Sequence, residues 1–391
     1  MTVSEATAAY SGPPRWAALL GVTAALAMFG AAQGLSYPLF TLLMQRQGMP
    51  PSLIGLSAAM MPLGLVLSAG LIPGAVSAFG ARRLAVGCAL AAAVCFICIA
   101  ALQDWIAWFV LRFLLGFVVN PLYVLGEVWA LALSPPERRG RMMGVFNALM
   151  GAGYAVGPLA MTMVGSVGWP PFLVAIFGFV ACAVILQLVS RDLGGFDADG
   201  QPAAGVLSFA RVAPALLFAV LVSAACQQST YSLIPVFGSA FGLREAMLAA
   251  LVTALSMGNI VLQIPLGLAA EKVGARLMIV ACALATATCV LLLPVLVLTP
   301  WVWPVLVVMG GVGYGVYTMA LVELGNRFSG STLVAGNAAF ALMWGAGGIV
   351  GPPVAGAAIQ AVGPLGLVGV IAGLSLMLVA FALWRSLNRR A

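Results

Sequence analysis

No histidine occurs anywhere in the chain, and only 7% of its residues are charged. The first absence removes the commonest transition-metal ligand and the usual general base near neutral pH. The second sits far below the roughly 25% charge of a soluble domain. No basic cluster interleaves with aromatic residues, so the net charge of +7 does not describe a nucleic-acid surface. The sequence also lacks a metal-ligand cluster, a phosphate-binding glycine loop and a nucleotide-binding domain. These absences lead us to expect neither an enzyme nor a protein with a resident cofactor or metal. All seven cysteines fall inside apolar runs, which excludes a disulfide framework as the organising principle. Cys95-Phe-Ile-Cys98 has redox-motif spacing, but in so apolar a run it reads as packing.

What the chain has instead is hydrocarbon. Of its 391 residues, 63% are hydrophobic, and the mean hydropathy is +1.13. A membrane-crossing helix needs about 20 apolar residues. Twelve such runs are expected, near 17–43, 53–76, 84–102, 105–131, 143–165, 172–190, 213–235, 246–268, 277–298, 303–322, 333–356 and 365–384. Their lengths and residue types argue for helices rather than the alternating strands of a membrane barrel. The first run continues to about residue 43 with no cleavage site and reads as a membrane helix, not a removable leader. With both termini placed in the cytoplasm, only Arg46 and Arg244 of the 17 basic residues fall in outer loops, and Arg112 lies within a span. That asymmetry follows the positive-inside rule and points to a multi-pass protein of the cytoplasmic (inner) membrane, in contact with the lipid bilayer and expected to be a monomer.

The runs form two sets. Residues 146–158 read FNALMGAGYAVGP and residues 340–352 read FALMWGAGGIVGP, 194 positions apart. Gln33 and Tyr37 return at the same offset as Gln227 and Tyr231, Gly64 as Gly258, Arg82 as Arg276, Gly116 as Gly310 and Tyr123 as Tyr317. One constant offset over most of the chain means two tandem copies of a long unit. The expected organisation is a six-helix bundle over 1–190, a polar cytoplasmic linker over 191–212 and a second six-helix bundle over 213–391.

Polar side chains are unevenly spread among the runs. The third, ninth and twelfth contain no Asn, Gln or ionisable residue, and the sixth has only Gln187. The first, fourth, fifth, seventh, eighth and eleventh runs carry Gln33, Arg112, Asn120, Glu127, Asn147, Gln227, Gln228, Asn259, Gln263 and Asn337. Polar groups in hydrocarbon face protein or water, so every third helix is read as lipid-facing support and the rest as surrounding something wet.

This pattern resembles the major facilitator superfamily of secondary transporters over essentially the whole chain. Gly80-Ala-Arg82-Arg83 and Gly267-Leu-Ala-Ala-Glu271-Lys272-Val-Gly274-Ala-Arg276 resemble the loop that family carries between its second and third helices of each half. Ser77 stands where the loop's usual Asp belongs, whereas Glu271 keeps the acid in the second copy. Arg112-x-x-x-Gly116 is similar to the family's fourth-helix signature. Gly144, Gly153, Gly157 and Pro158 are similar to its antiporter-associated motif, though Met161 and Thr162 replace the closing glycines. Gly126-Glu127-Val-Trp129 followed by Glu137-Arg-Arg-Gly140-Arg141 also resembles the YcaD-like branch. The resemblance implies alternating-access transport, with Ser77, Arg82, Arg83, Glu271, Lys272 and Arg276 at a cytoplasmic gate.

Candidate residues follow from spacing. Arg112, Gly116, Asn120, Tyr123 and Glu127 fall on one face of a helix. Arg112 and Glu127 are about 22 Å apart along it. The second copy puts Leu306 and Leu321 in their places, so both charges are candidates for proton coupling. The alternative is structural: Arg112 on neighbouring carbonyls, or Glu127 paired with Arg138, Arg139 or Arg141. Gln33 and Tyr37 in one copy and Gln227, Gln228 and Tyr231 in the other are expected to face one another around a central cavity. Ordinary interhelical bonding is the alternative. Asn120, Tyr123, Asn147, Asn259, Gln263, Tyr314, Tyr317, Asn337 and Trp344 complete the expected substrate lining. Glu323 reads as a partner of Arg276 or Arg327 at the inner gate. Gly153, Gly157 and Pro158, with Gly347, Gly351 and Pro352, allow close helix approach and a kink that suits rocking. The expected activity is transport of a small anionic or neutral organic solute, as proton-coupled export, or as symport or facilitated uptake. A solute receptor that moves nothing is the rival class.

Overall fold

The computed structural model describes residues 16–134, 139–190, 209, 211–328 and 330–387. Within them the chain is helical throughout, without a strand. The first copy gives α1 (Trp16–Arg46), α2 (Pro51–Ala69), α3 (Ile72–Phe79), α4 (Ala81–Ala101), α5 (Trp105–Leu133), α6 (Arg139–Val164) and α7 (Pro170–Val189). The second gives α8 (Pro214–Ala240), α9 (Glu245–Val261), α10 (Gln263–Val273), α11 (Ala275–Leu296), α12 (Val302–Arg327), α13 (Gly330–Val362) and α14 (Leu365–Leu387). Ten of these helices are long and apolar enough to cross a membrane, and α9 with α10, bent by 44°, makes an eleventh span. The run expected at 143–165 is α6, which lies outside that set. The linker expected at 191–212 falls almost wholly outside the described residues, as do Arg138 and the terminal arginines.

Two expected spans are broken rather than continuous. Gly70 and Leu71 separate α2 from α3, and Leu262 separates α9 from α10. Pro265 explains the second break: it has no N–H for the Val261 carbonyl, and its ring crowds that carbonyl. The turn after each break is shared by both copies. Gly80 at φ 78° ends α3 and opens α4, and Gly274 at φ 88° does the same between α10 and α11. A side chain resists that left-handed geometry, which is why glycine stands at both positions.

The chain divides into two compact units, one of Met1–Ser36 with Leu63–Gln201 and the other of Tyr37–Pro62 with Pro202–Ala391. The division passes through α1 and α2, so residues 37–62 group with the second copy. In unit 1, a Cβ on Gly153 or Gly157 would run into the α1 backbone at Ala27 and Ala31. In unit 2, a Cβ on Gly347 or Gly351 would run into α8 at Leu221 and Ala225, positions equivalent to Ala27 and Ala31. The second crossing repeats too: Gly64 abuts the α5 backbone at Phe113 and Phe117, and Gly258 abuts the α12 backbone at Val307 and Gly311. Backbone-to-backbone approach of this kind is how membrane helices gain packing without a hydrophobic driving force. Of the candidate spans, α8 and α1 are the most deeply buried and α7 the least.

Candidate functional site

Unit 1 holds the two charges. Arg112 in mid-α5 is 3% exposed, and Gln33 on α1 is 1% exposed. Neither faces lipid. Leu306, the counterpart of Arg112, is equally buried, so one position accepts a cation in one copy and a methyl-bearing side chain in the other. The single stripe expected along α5 divides into two environments. Gly116 lies under Gly64 of α2, and Asn120 donates to the Leu65 carbonyl at 2.9 Å and to the Ser68 hydroxyl at 3.0 Å. Both amide hydrogens of Asn120 are thereby used to tie α5 to α2. The glycine crossing brings α2 directly over that turn, so the Asn120 amide nitrogen is spent on the α2–α5 contact. Further along the helix, Tyr123 and Glu127 are exposed. Among the described residues Glu127 makes no ion pair and no side-chain hydrogen bond. Asn147 is exposed on α6 and Tyr154 is half-buried.

Unit 2 assembles a polar seam. Tyr37 donates to Gln228 Oε1 at 3.1 Å, and its ring meets that of Tyr231 at 5.6 Å between centroids. Thr41 donates to the Ser232 carbonyl at 2.6 Å, and Gln45 Nε2 to the Ser239 hydroxyl at 2.8 Å. Arg46 closes the row on Glu245, with its Nε at 3.0 Å and Nη2 at 2.6 Å from Oε1. These residues step along one face of α1 at helical spacing, so α1 from Tyr37 onward is bonded to α8 and the start of α9. Of this seam, sequence reasoning found only Tyr37, Gln228 and Tyr231. Thr41, Arg46, Ser232 and Glu245 have no seam residue at the equivalent position and were not legible as seam members; only Gln45 and Ser239 carried a signal, being equivalent positions as Tyr37 and Tyr231 are.

A second polar chain crosses from α10 to α12. Gln263 Nε2 donates to Asn259 Oδ1 at 3.2 Å and to the Gly311 carbonyl at 3.3 Å, and Gln263 Oε1 accepts from Thr318 at 2.8 Å. Gln263 is thus satisfied within the protein and holds the α9–α10 break against α12. Thr318, adjacent to Tyr317, was not singled out from the sequence. Beside this chain, Tyr314, Tyr317 and Trp344 cluster with centroids 4.8–5.9 Å apart, and Phe340 backs Tyr317 at 6.5 Å. Asn337 is exposed on α13.

The gate residues separate by copy. Arg276 donates its Nε hydrogen to Glu323, and Arg327 Nε lies 3.8 Å from the same carboxylate oxygen. In unit 1, Arg82 Nη2 donates instead to the Gln187 carbonyl at 2.8 Å, and Ser77 donates to its own turn at Gly74. Trp129 occupies the place equivalent to Glu323 and is buried, so no carboxylate is offered to Arg82 there. Arg83, Glu271 and Lys272 are exposed or half-buried, and neither Glu271 nor Lys272 makes an ion pair among the described residues. All seven cysteines are free, and no cluster of metal-ligating side chains occurs among the described residues.

This duplicated, glycine-crossed helical architecture is that of a membrane transporter, and its relatives agree. The sequence matches the Major Facilitator Superfamily over residues 22–329 and again over 216–391. The chain belongs to that superfamily. It is 23% identical over 335 residues to the MFS-type transporter YfkF of Bacillus subtilis, covering 84% of this chain and 85% of YfkF. It is 24% identical over 252 residues to the MFS-type transporter YcaD of Escherichia coli, covering 64% of each. Among solved structures, the nucleoside transporter NupG superposes with a TM-score of 0.73 at 14% identity, over 94% of this chain and 97% of that one. A D-xylose–proton symporter superposes with a TM-score of 0.74 at 13% identity, over 95% and 97%. Likeness at that identity establishes the shared fold.

Proposed function

We propose that the protein is a secondary active transporter that moves a small organic solute across the cytoplasmic membrane by alternating access, as proton-coupled export. The observation that carries the coupling is the contrast between its two intramembrane carboxylates. Glu323 is engaged by Arg276 and Arg327, so protonating it costs those interactions. Glu127 is exposed on α5 with no ion pair among the described residues, so it can take up and release a proton without breaking one. A carboxyl within a span is a proton-relay candidate whose affinity its surroundings set. Arg112, about 22 Å further along the same helix, is the cation that would sense the change. The α1–α8 seam supports the alternating step: its side-chain bonds are worth about 1 kcal/mol each. A gradient could therefore open and reclose it. Gly153-Gly157-Pro158 and Gly347-Gly351-Pro352 mark the crossings about which the helices would rock.

A second reading, symport or facilitated uptake of an anionic or neutral metabolite, is favoured by Met161 and Thr162 standing where the antiporter-associated motif closes on glycines. Flux into proteoliposomes, measured with and without an imposed pH gradient, separates the readings. Export coupling requires accumulation against the gradient that Glu127→Gln abolishes while exchange down a solute gradient persists. Gradient-driven flux unchanged by Glu127→Gln removes that residue from coupling, and binding without any flux would leave a receptor.

A further inference from the structure

The geometry points to a neutral solute carrying a flat heteroaromatic ring, held by the aromatic cluster of α12 and α13 and by the paired amides of α8. This deepens the transporter reading and rests on it. Tyr317 and Trp344 meet edge-to-face at 4.8 Å and 62°, Tyr314 and Trp344 edge-to-face at 5.9 Å and 79°, and Tyr314 and Tyr317 tilted at 5.5 Å and 49°. None of the three is fully buried. Aromatic side chains clustered in this way stack on planar groups.

Space and hydrogen-bonding groups adjoin those rings. Gly313, one turn before Tyr317, has nothing within 4 Å of where a Cβ would stand, and its carbonyl accepts from Ser223 of α8 at 2.9 Å. Gly348, one turn beyond Trp344, lies against Pro62 of α2, 2.8 Å from the position of its Cβ, and against the Gln228 side chain of α8 at 3.4 Å. The Gln227–Gln228 pair thus adjoins α13 one turn from the aromatic cluster. Gln227 Nε2 is shielded from solvent and carries no hydrogen bond among the described residues. A buried amide donor without a partner is costly, and an in-plane acceptor of a ring supplies one.

Charge selects among ring solutes. Neither α8 nor α13 contains an Asp, Glu, Lys or Arg, and the only charges on α12, Glu323 and Arg327, sit at its end in the ion-pair cluster. A quaternary ammonium would find aromatic faces but no carboxylate here, and an anion would find no cation. A sugar would find amides but would waste the three rings.

The test uses the purified full-length protein and equilibrium binding of three probe classes: neutral heteroaromatics (adenine, uracil, nicotinamide), glucose and tetraethylammonium. The heteroaromatics are expected to bind. Trp344→Ala should weaken them at least about tenfold, the loss expected for removing one stacking partner, whereas Trp344→Phe should restore most of it. Gln227→Leu should also cost about tenfold, matching one lost polar contact. Both variants are checked for an unchanged melting temperature. Binding of glucose or tetraethylammonium alone, or no heteroaromatic binding up to about 10 mM, overturns the inference. So does binding that ignores Trp344→Ala. Flux assays on the same probes keep the two proposals apart: a heteroaromatic that binds but is not carried sinks transport and leaves the ring class standing. Carriage of a solute without a ring does the reverse.

Discussion

Tyr37 and Tyr231 occupy the same position in the two sequence copies, and their rings meet at 5.6 Å. Gln45 with Ser239 repeats the relationship further along the same helices. Tyr37 adds a hydrogen bond to Gln228 that Tyr231 does not mirror. Removing the hydroxyl alone, in Tyr37→Phe, should lower stability by about 0.5–1.5 kcal/mol. Tyr37→Ala should cost visibly more because the ring contact goes too. Thermal unfolding in detergent ranks the two variants, and equal losses would mean that the ring contact contributes nothing.

The Arg46–Glu245 pair is exposed but doubly bonded. A double-mutant cycle should give a coupling of about 0.2–1 kcal/mol, shrinking as salt is raised. Glu245 also stands in the first turn of α9, where a negative charge favours the helix dipole. Arg46 stands likewise in the last turn of α1, where a positive charge is favoured, so Glu245→Gln and Arg46→Gln should each destabilise by more than the coupling, and losses no larger than it would show that the helix termini play no part.

The glycines make opposite predictions at different sites. Gly258→Ala places a methyl group into the Val307 carbonyl of α12 and should destabilise by about 1–3 kcal/mol, as overpacking does. Gly87, inside α4, has open space around it, so Gly87→Ala should stabilise by roughly 0.5–1 kcal/mol through helix propensity. Melting temperatures should move in opposite directions.

Arg276 and Arg82 are equivalent in sequence, but among the described residues only Arg276 has a carboxylate bound. Arg276→Gln leaves Glu323, which is 7% exposed, with the longer contact to Arg327 at 3.8 Å, and should cost about 1 kcal/mol more than Arg82→Gln, a modest figure because the Arg276 guanidinium is largely solvated and Arg327 remains. The additional variant Glu323→Gln should make Arg276→Gln nearly silent. Full additivity in that cycle would exclude the ion pair as the source of the difference.

Several of these features were legible in advance, and the reason lies in what each depends on. Gly153 and Gly347 could be matched as crossing points because the same phrase recurs around them, and backbone approach leaves only small residues as solutions. The partner of Glu323 was legible because cations near a span end are few. The fate of Asn120 was not: its spacing with Arg112 and Glu127 places it on a face of α5, but spacing says nothing of what covers that face. The Gly64 crossing decided that. Thr318 and Ser68 were similarly invisible, since a hydroxyl in an apolar helix usually bonds its own preceding turn. The break at Leu262 had its signal in Pro265, two residues after Gln263, which length and hydropathy alone passed over.

By itself the sequence determined that this chain spans a membrane with helices, that it does so in two copies, and that its charges are confined to a few places. Those properties depend on local hydropathy, turn-forming residues and a repeat, all of which are written along the chain. Tertiary structure alone decided which polar groups are spent on one another. Gln263, Asn120 and Arg82 were taken by neighbours tens to more than a hundred residues away, while Glu127 and the Gln227 Nε2 have no side-chain hydrogen bond among the described residues. A hydrogen bond is a matter of about 3 Å and direction, and only the packed helices fix that.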